Sequence, residues 1–239
     1  MADSALAARL ASDPRGLHYG SDGSLEAVFG LPPAEARMVL YPVSRSRALP
    51  DGYAPPDLVN ELNHPLRALV VGEFRAMFAA AERAGADLEV VSGYRPAAYQ
   101  ALLFERAVQR QLGRDESLSR EEAEDLAARF VAPPGRSQHQ LGTTADLSSW
   151  EIGYAIRRDF AETAAGRWLA DHAWEYGFIL PYTAPAEART GYVAEPWHVR
   201  WVGRPLAALL WEAGYPTSGY PTADDWLVAL EGLIEESSF

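Results

Sequence analysis

Apolar residues after Asn63-His64-Pro65 recur at helical spacing. Leu66, Leu69, Val70, Phe74, Met77, Phe78 and Ala81 share one side of a repeat of about 3.6 residues, and Gly85 ends it. The pattern then changes. Leu88-Glu89-Val90-Val91 reads as a strand running into Ser92-Gly93-Tyr94-Arg95, and Pro96 suits the first position of a second helix reaching Gly113. Ser119, with Glu122 three residues on, is a capping box for a third helix through Phe130, which Pro133-Pro134-Gly135 breaks. A short strand is expected at 143–147. A fourth helix is expected over 159–176, with Ala165, Trp168, Leu169, His172, Ala173 and Tyr176 on one face. Phe178-Ile179-Leu180 and residues 193–202 are strand candidates, and Pro205 opens a fifth helix through Trp211. Residues 24–29 predict a short helix ended by Gly30, 39–60 an extended, loop-like stretch, and 224–234 a terminal helix.

Strands and helices alternate, but the connections are irregular and several are short enough to favour antiparallel neighbours. The expected class is therefore α+β, with helices packed on a small central antiparallel sheet. Residues 1–38 read as an N-terminal extension and 39–239 as one domain, since no Gly/Ser-rich linker divides them. The 239 residues are enough for a substantial core.

Composition narrows the chemistry. With no basic excess, the net charge of −12 argues against nucleic acid bound through its phosphate backbone and against an anionic membrane surface. The absence of cysteine removes disulfides, thiolate nucleophiles, cysteine-type structural zinc and iron–sulfur clusters. No apolar run approaches the roughly 18 residues of a membrane span. Met1 to Gly20 carries Asp3, Arg9, Asp13 and Arg15 and does not read as a secretory signal.

Three clusters carry candidate chemistry: Ser92-Gly93-Tyr94-Arg95-Pro96 with Gln100; Ser137-Gln138-His139 through Gly142 to Asp146; and Glu195-Pro196-Trp197-His198. Two imidazoles and a carboxylate, His139, Asp146 and His198, make a zinc ligand set that leaves one position for water. The separation of His139 and Asp146 suits a loop that folds back at Gly142, with Asp146 on the next strand and His198 on its neighbour. A metal-bound water, its pKa lowered towards roughly 7, still needs a base. A bend at Pro196 brings Glu195 into range of that task. Arg95 is the candidate to stabilise charge developing on the carbonyl oxygen. Other readings are blander. His172 fits the core, His64 a loop or helix entry, and His18 has no charged companions of the right kind for a site. Trp197 alone is core or a stacking wall. A serine triad of Ser137, His139 and Asp146 lacks the Gly-x-Ser-x-Gly elbow.

The three ordered motifs resemble the signature of the VanY-type D-alanyl-D-alanine carboxypeptidases, part of the LAS group of zinc peptidases. The resemblance covers roughly residues 40–212 and includes Ala132-Pro133-Pro134-Gly135, Gly177-Phe178-Ile179-Leu180 and Thr190-Gly191-Tyr192. It implies the small LAS/Hedgehog-like α+β fold. It also implies one zinc ion on His139, Asp146 and His198, Glu195 as base and Arg95 near the scissile carbonyl. Ser137 is expected near the substrate's terminal carboxylate. Gln100, Tyr94 and Trp197 are the other expected substrate contacts. The implied substrate is a peptidoglycan stem peptide or precursor cut before a C-terminal D-alanine, with no nucleic-acid partner and no membrane span. L,D-carboxypeptidase, D,D-dipeptidase and wall-lytic endopeptidase activities remain open alternatives, as does a non-catalytic zinc- or peptide-binding module. Such a substrate implies a cell-envelope or extracytoplasmic location. With no export signal in the chain, a cytoplasmic one stays open. The sequence departs from the family pattern at Thr144, Ala145, Pro96 and Trp201.

Overall fold

A computed structural model describes residues 33–214, so the helices expected at 24–29 and 224–234 lie outside the described residues. Helix α1 (Pro33–Val39) leads through an extended stretch to a hairpin of β1 (Leu58–Glu61) and β2 (His64–Arg67). Helix α2 (Ala68–Arg83), strand β3 (Glu89–Ser92), α3 (Ala97–Arg114) and α4 (Arg120–Ala127) follow. A single 3-10 turn, Gln138–Leu141, precedes β4 (Thr144–Ser148). After α5 (Ala164–His172) come β5 (Phe178–Ile179), α6 (Glu187–Thr190), β6 (His198–Trp201) and α7 (Arg204–Glu212). The main sheet has the order β3-β4-β6-β5, and every neighbouring pair is antiparallel. The class is α+β, as the irregular connections predict.

The sheet has two different faces because side chains alternate along each strand. Ala145 and Leu147 of β4 and Val199 and Trp201 of β6 join the main core with Val70, Phe74, Met77 and Ala81 of α2. The Phe74 and Phe178 rings meet with centroids 4.4 Å apart. The opposite face is polar, yet β4 and β6 are buried along their whole length. The pairing register sets Asp146 beside Ser92 on one side and His198 on the other, so three polar residues form a row across three strands.

Several elements differ from the expected ones, each for a local reason. The helix expected from Leu66 begins at Ala68. His64–Arg67 pairs with Leu58–Glu61 instead, across a turn in which Leu62 and Asn63 have φ of 51° and 63°. Positive φ at both central residues is the hairpin turn that suits twisted strands, but a leucine does not advertise it. The single helix expected over 159–176 is three pieces. The Thr163 hydroxyl accepts from the Gly166 N–H at 2.8 Å and starts α5 afresh, and the last turn tightens to 3-10 geometry at Ala173–Tyr176. His172 is therefore not core: its side chain is 43% exposed and its Nδ1 lies 2.8 Å from a Glu175 carboxylate oxygen. The strand expected over 193–202 begins only at His198.

Helix α1 crosses residue 38 and packs on the domain. Arg67, fully buried, pairs with Asp57 at 2.5 Å and with Glu35 of α1 at 2.8 Å. The Arg200 guanidinium donates to the carbonyls of Val39 and Tyr41 at 3.0 and 2.7 Å. Arg67 also shapes the bend before β4. Its N–H donates to the Gly142 carbonyl at 2.9 Å. Gly142 itself has φ +72°, and a Cβ there would sit 2.9 Å from Arg67 Cγ and 3.1 Å from Pro55 Cγ.

Gly142→Ala combines left-handed strain with overpacking and is expected to destabilise by roughly 2–3 kcal/mol. Gly72→Ala, in open space on helix α2, is expected to stabilise by about 0.5–1 kcal/mol. Urea unfolding of the two variants beside the parent protein checks both signs.

Candidate active site

The polar face of the sheet is where the three sequence clusters meet. Asp146 and His198 come from adjacent strands, and the 3-10 turn brings His139 over them. Ser137 caps that turn, its hydroxyl accepting from the His139 N–H at 3.3 Å. Gly142 closes the turn in left-handed conformation and lets the chain double back into β4, so the loop expected from the spacing is a capped turn followed by a bend. One donor atom each from His139, Asp146 and His198 lies within 4.8 Å of the other two, and all three residues are buried. His139 Nε2 is 3.2 Å and His198 Nδ1 3.1 Å from Asp146 Oδ1.

The remaining ring nitrogens decide which face carries the lone pairs. His139 Nδ1 lies 2.7 Å from the Gly93 carbonyl, which can only accept, so that nitrogen holds the proton and Nε2 presents a lone pair to the cluster. His198 Nε2 lies 3.1 Å from Gln138 Oε1 and donates to it, which turns the lone pair of Nδ1 inward. Gly93 can accept from His139 because the backbone of β2 runs against it. A Cβ at Gly93 would collide with the Pro65 carbonyl, and the Tyr94 N–H donates to that same carbonyl at 2.7 Å.

Electrostatics agree with this assignment. Burial, then the Arg95 guanidinium, pushes His139 below its ordinary value. Burial above all lowers His198, to about 4. Both rings are thus neutral at pH 7. Burial pushes the Asp146 carboxyl upward, but the Arg95 guanidinium paired with it pulls the other way and the carboxyl is held well below the usual carboxylate range. Two neutral imidazoles and one carboxylate, held from behind by a carbonyl and a carboxamide, are the donor chemistry and outer support that a zinc ion requires.

Glu195 stands beside the cluster with a carboxylate oxygen 3.6 Å from His198 Nδ1. Its position comes from a turn. The Glu195 N–H donates to the Tyr182 carbonyl at 2.9 Å, and the His198 N–H donates back to the Glu195 carbonyl at 3.1 Å. The strand cannot start until that turn is complete, so Pro196 marks a turn preceding β6 and not a bend within a longer strand. Burial, then the Asp146 carboxylate, raises Glu195 to about 8, with Arg95 pulling it down. A carboxylate in that range can take and return a proton near neutrality.

Arg95 reaches the same point from β3's end. Its Nε donates to Ser92 Oγ at 2.8 Å and its Nη2 pairs with Asp146 Oδ2. A bulge between Val90 and Ser92 turns the end of β3 so that this pairing closes. Gln100 is buried in α3, its Nε2 donating to the Ala132 carbonyl at 2.7 Å. Arg95, Gln100, Ser137, Glu195 and Trp197 all line one cleft of about 400 Å³ with the three clustered residues. Tyr94 does not line it; its backbone is tied to β2 instead. Gln138 and Tyr182 also belong to the site, although the sequence assigns neither a role. Gln138 sits inside the Ser-x-His motif at a place the spacing treats as arbitrary. Tyr182, whose ring centroid is 4.9 Å from that of His198, had no motif to mark it.

Comparison with known proteins agrees with this geometry. Residues 63–204 match the model of the VanY family, described as D-alanyl-D-alanine carboxypeptidase. YodJ of Bacillus subtilis (strain 168), named as a carboxypeptidase, is 35% identical over 182 residues, which are 72% of this chain and 63% of YodJ. The chain thus spans less than two thirds of that relative's length. Among solved structures, the LdcB LD-carboxypeptidase superposes with a TM-score of 0.68 at 31% identity, covering 81% of this chain and 87% of LdcB. A vancomycin-resistance D,D-pentapeptidase VanY variant in complex with Zn(II) superposes with a TM-score of 0.65 at 25% identity, covering 80% of this chain and 99% of that one. By the extent of the family match and the shared fold, this chain belongs to the VanY D-alanyl-D-alanine carboxypeptidase family.

Proposed function

We propose that this protein is a zinc-dependent carboxypeptidase that removes a C-terminal D-alanine from peptidoglycan stem peptides or their precursors, acting at the cell envelope. The observation that carries the reading is the convergence of two imidazole lone pairs and one carboxylate oxygen beside a buried glutamate. His139, Asp146 and His198 would hold one zinc ion, which when bound supplies a Lewis acid and lowers the pKa of water at its open position. Glu195 takes the proton from the attacking water and later returns it to the nitrogen of the leaving D-alanine, so the residue ends each cycle as it began. Arg95 offers its guanidinium to the carbonyl oxygen as negative charge develops there. Ser137 and Gln100, at the inner end of the cleft, hold the terminal residue of the substrate. Trp197 contributes a wall.

The likeness to the LdcB LD-carboxypeptidase supports a second reading, in which the bond cut joins an L-configured centre to the terminal D-alanine. The two readings share every step above and differ only in the residue before the cut. Mass spectrometry of products from matched tetrapeptides and pentapeptides separates them: loss of one D-alanine from the pentapeptide alone is expected for D,D cleavage, and from the tetrapeptide for L,D cleavage. Chelation is expected to abolish either activity and added zinc to restore it. Turnover that persists in metal-free protein would overturn the proposal.

Glu195→Gln is expected to lower kcat by at least about a hundredfold, the usual yield of a positioned base, while bound zinc measured by elemental analysis stays near one per chain. Gln138→Leu removes the acceptor that orients His198. Its expected effect is a loss of zinc affinity of about 10- to 100-fold, read by competition with a metal-sensitive dye.

A further inference from the structure

The cleft continues well beyond the clustered ligands, and its chemistry changes along its length. One wall is a face of α3, from which Tyr99, Gln100, Leu103 and Arg110 all line the cleft. Spacings of three, four and seven residues keep these on one side of a helix. Helix α3 starts two residues after Arg95, so its first turn is anchored at the site and its last turns are the farthest from Arg95 along the helix. Gln100 and Arg110 are separated by about 15 Å of helix, at ~1.5 Å per residue.

The inner end of this wall is polar and enclosed. Gln100 is 1% exposed, and its Oε1 is buried with no hydrogen-bond partner among the described residues. Beside it the wall is apolar, with Leu103 one turn further along the helix, and it is open at the mouth, where Tyr99 is 47% and Phe130 52% exposed. The outer end is a cation. Arg110 is exposed and makes no ion pair or hydrogen bond among the described residues, although acidic groups lie on the same helix and on its neighbour. Two of these, Glu105 and Glu124, pair with Arg120 instead. The cations lining the cleft are Arg95, which pairs with Asp146, and Arg110, which pairs with nothing described.

An extended peptide advances about 3.3 Å per residue, so 15 Å of wall accommodates roughly four residues. We propose that Arg110 is the distal subsite of this cleft and binds a free carboxylate carried by the substrate about three to four residues before its C-terminus. The substrate class is thereby narrowed to acidic peptides: a peptide ending in D-alanine is read at one end by the buried polar pocket and at the other by one guanidinium, with its backbone along the apolar wall. The inference rests on the carboxypeptidase reading for the direction in which the peptide lies.

The test uses two pentapeptides ending in D-alanine that differ at one position. One carries a γ-linked glutamate with its free α-carboxylate at the second residue, the other the corresponding amide. For the parent protein, KM is expected to be about five- to tenfold lower for the acid, the scale of a partly exposed charge pair, and the difference is expected to shrink with added salt. In Arg110→Gln the ratio of the two KM values is expected to fall to about one, in Arg110→Lys to survive in part, and in Arg110→Glu to invert. Arg106→Gln, on the same helix but off the cleft, controls for overall charge and is expected to keep the ratio. A parent protein without preference, or a preference that outlives Arg110→Gln, overturns the proposal. Should neither peptide be cut, the carboxypeptidase reading fails. Calorimetric binding of both peptides to the parent and Arg110→Gln proteins then decides the anion subsite by the same ratio.

Discussion

A carboxylate buried in the middle of a sheet is the constraint around which this structure is built. Asp146 sits on a strand with buried neighbours on both sides, where an isolated charge would cost several kcal/mol. The Arg95 guanidinium pairs with it and offsets that cost, while His139 and His198 converge on the same carboxylate with their unprotonated nitrogens. Each of those partners is brought by a different device: a capped 3-10 turn, an antiparallel register and a bulged strand end. The row Ser92, Asp146, His198 across β3, β4 and β6 is thus both the electrostatic centre of the sheet and the floor of the cleft.

The apolar face makes that arrangement affordable in energetic terms. Helix α2 covers the sheet with Val70, Phe74, Met77 and Ala81, leaving the polar face free to carry groups that contribute little to burial. Rigid support comes from behind as well. The Gly93 carbonyl and the Gln138 carboxamide set which nitrogen of each imidazole faces inward. Arg67, buried between Asp57 and Glu35, joins α1, the hairpin and the Gly142 bend, so the geometry of the turn depends on contacts well outside the cleft.

Glu195 illustrates how position and acidity are set together. The turn that delays β6 until His198 holds the carboxylate 3.6 Å from that imidazole. The same enclosure, with Asp146 nearby, raises its proton affinity into the range useful for exchange at neutral pH. Along α3 the cleft is lined by the enclosed amide of Gln100, apolar side chains and the exposed guanidinium of Arg110.

Local chemistry made much of this legible in the residues alone. The capping box at Ser119 and Glu122, the helical stripe of α2, the glycine bend between His139 and Asp146, and the identity of the three clustered side chains all follow from rules that act within a few residues. The hairpin at Leu62-Asn63, the division of 159–176 at Thr163 and the exposure of His172 did not, because each depends on what packs alongside. Tyr94 belongs to a matched motif but does not line the cleft, its backbone tied to a strand the periodicity did not predict. Gln138 and Arg110 gain their meaning from partners 60 residues away or from none described. Sequence determined which groups were available to hold a metal and move a proton. Only the tertiary structure decided which lone pairs meet and which charges stay unpaired, because those are relations between segments that touch only after the chain has folded.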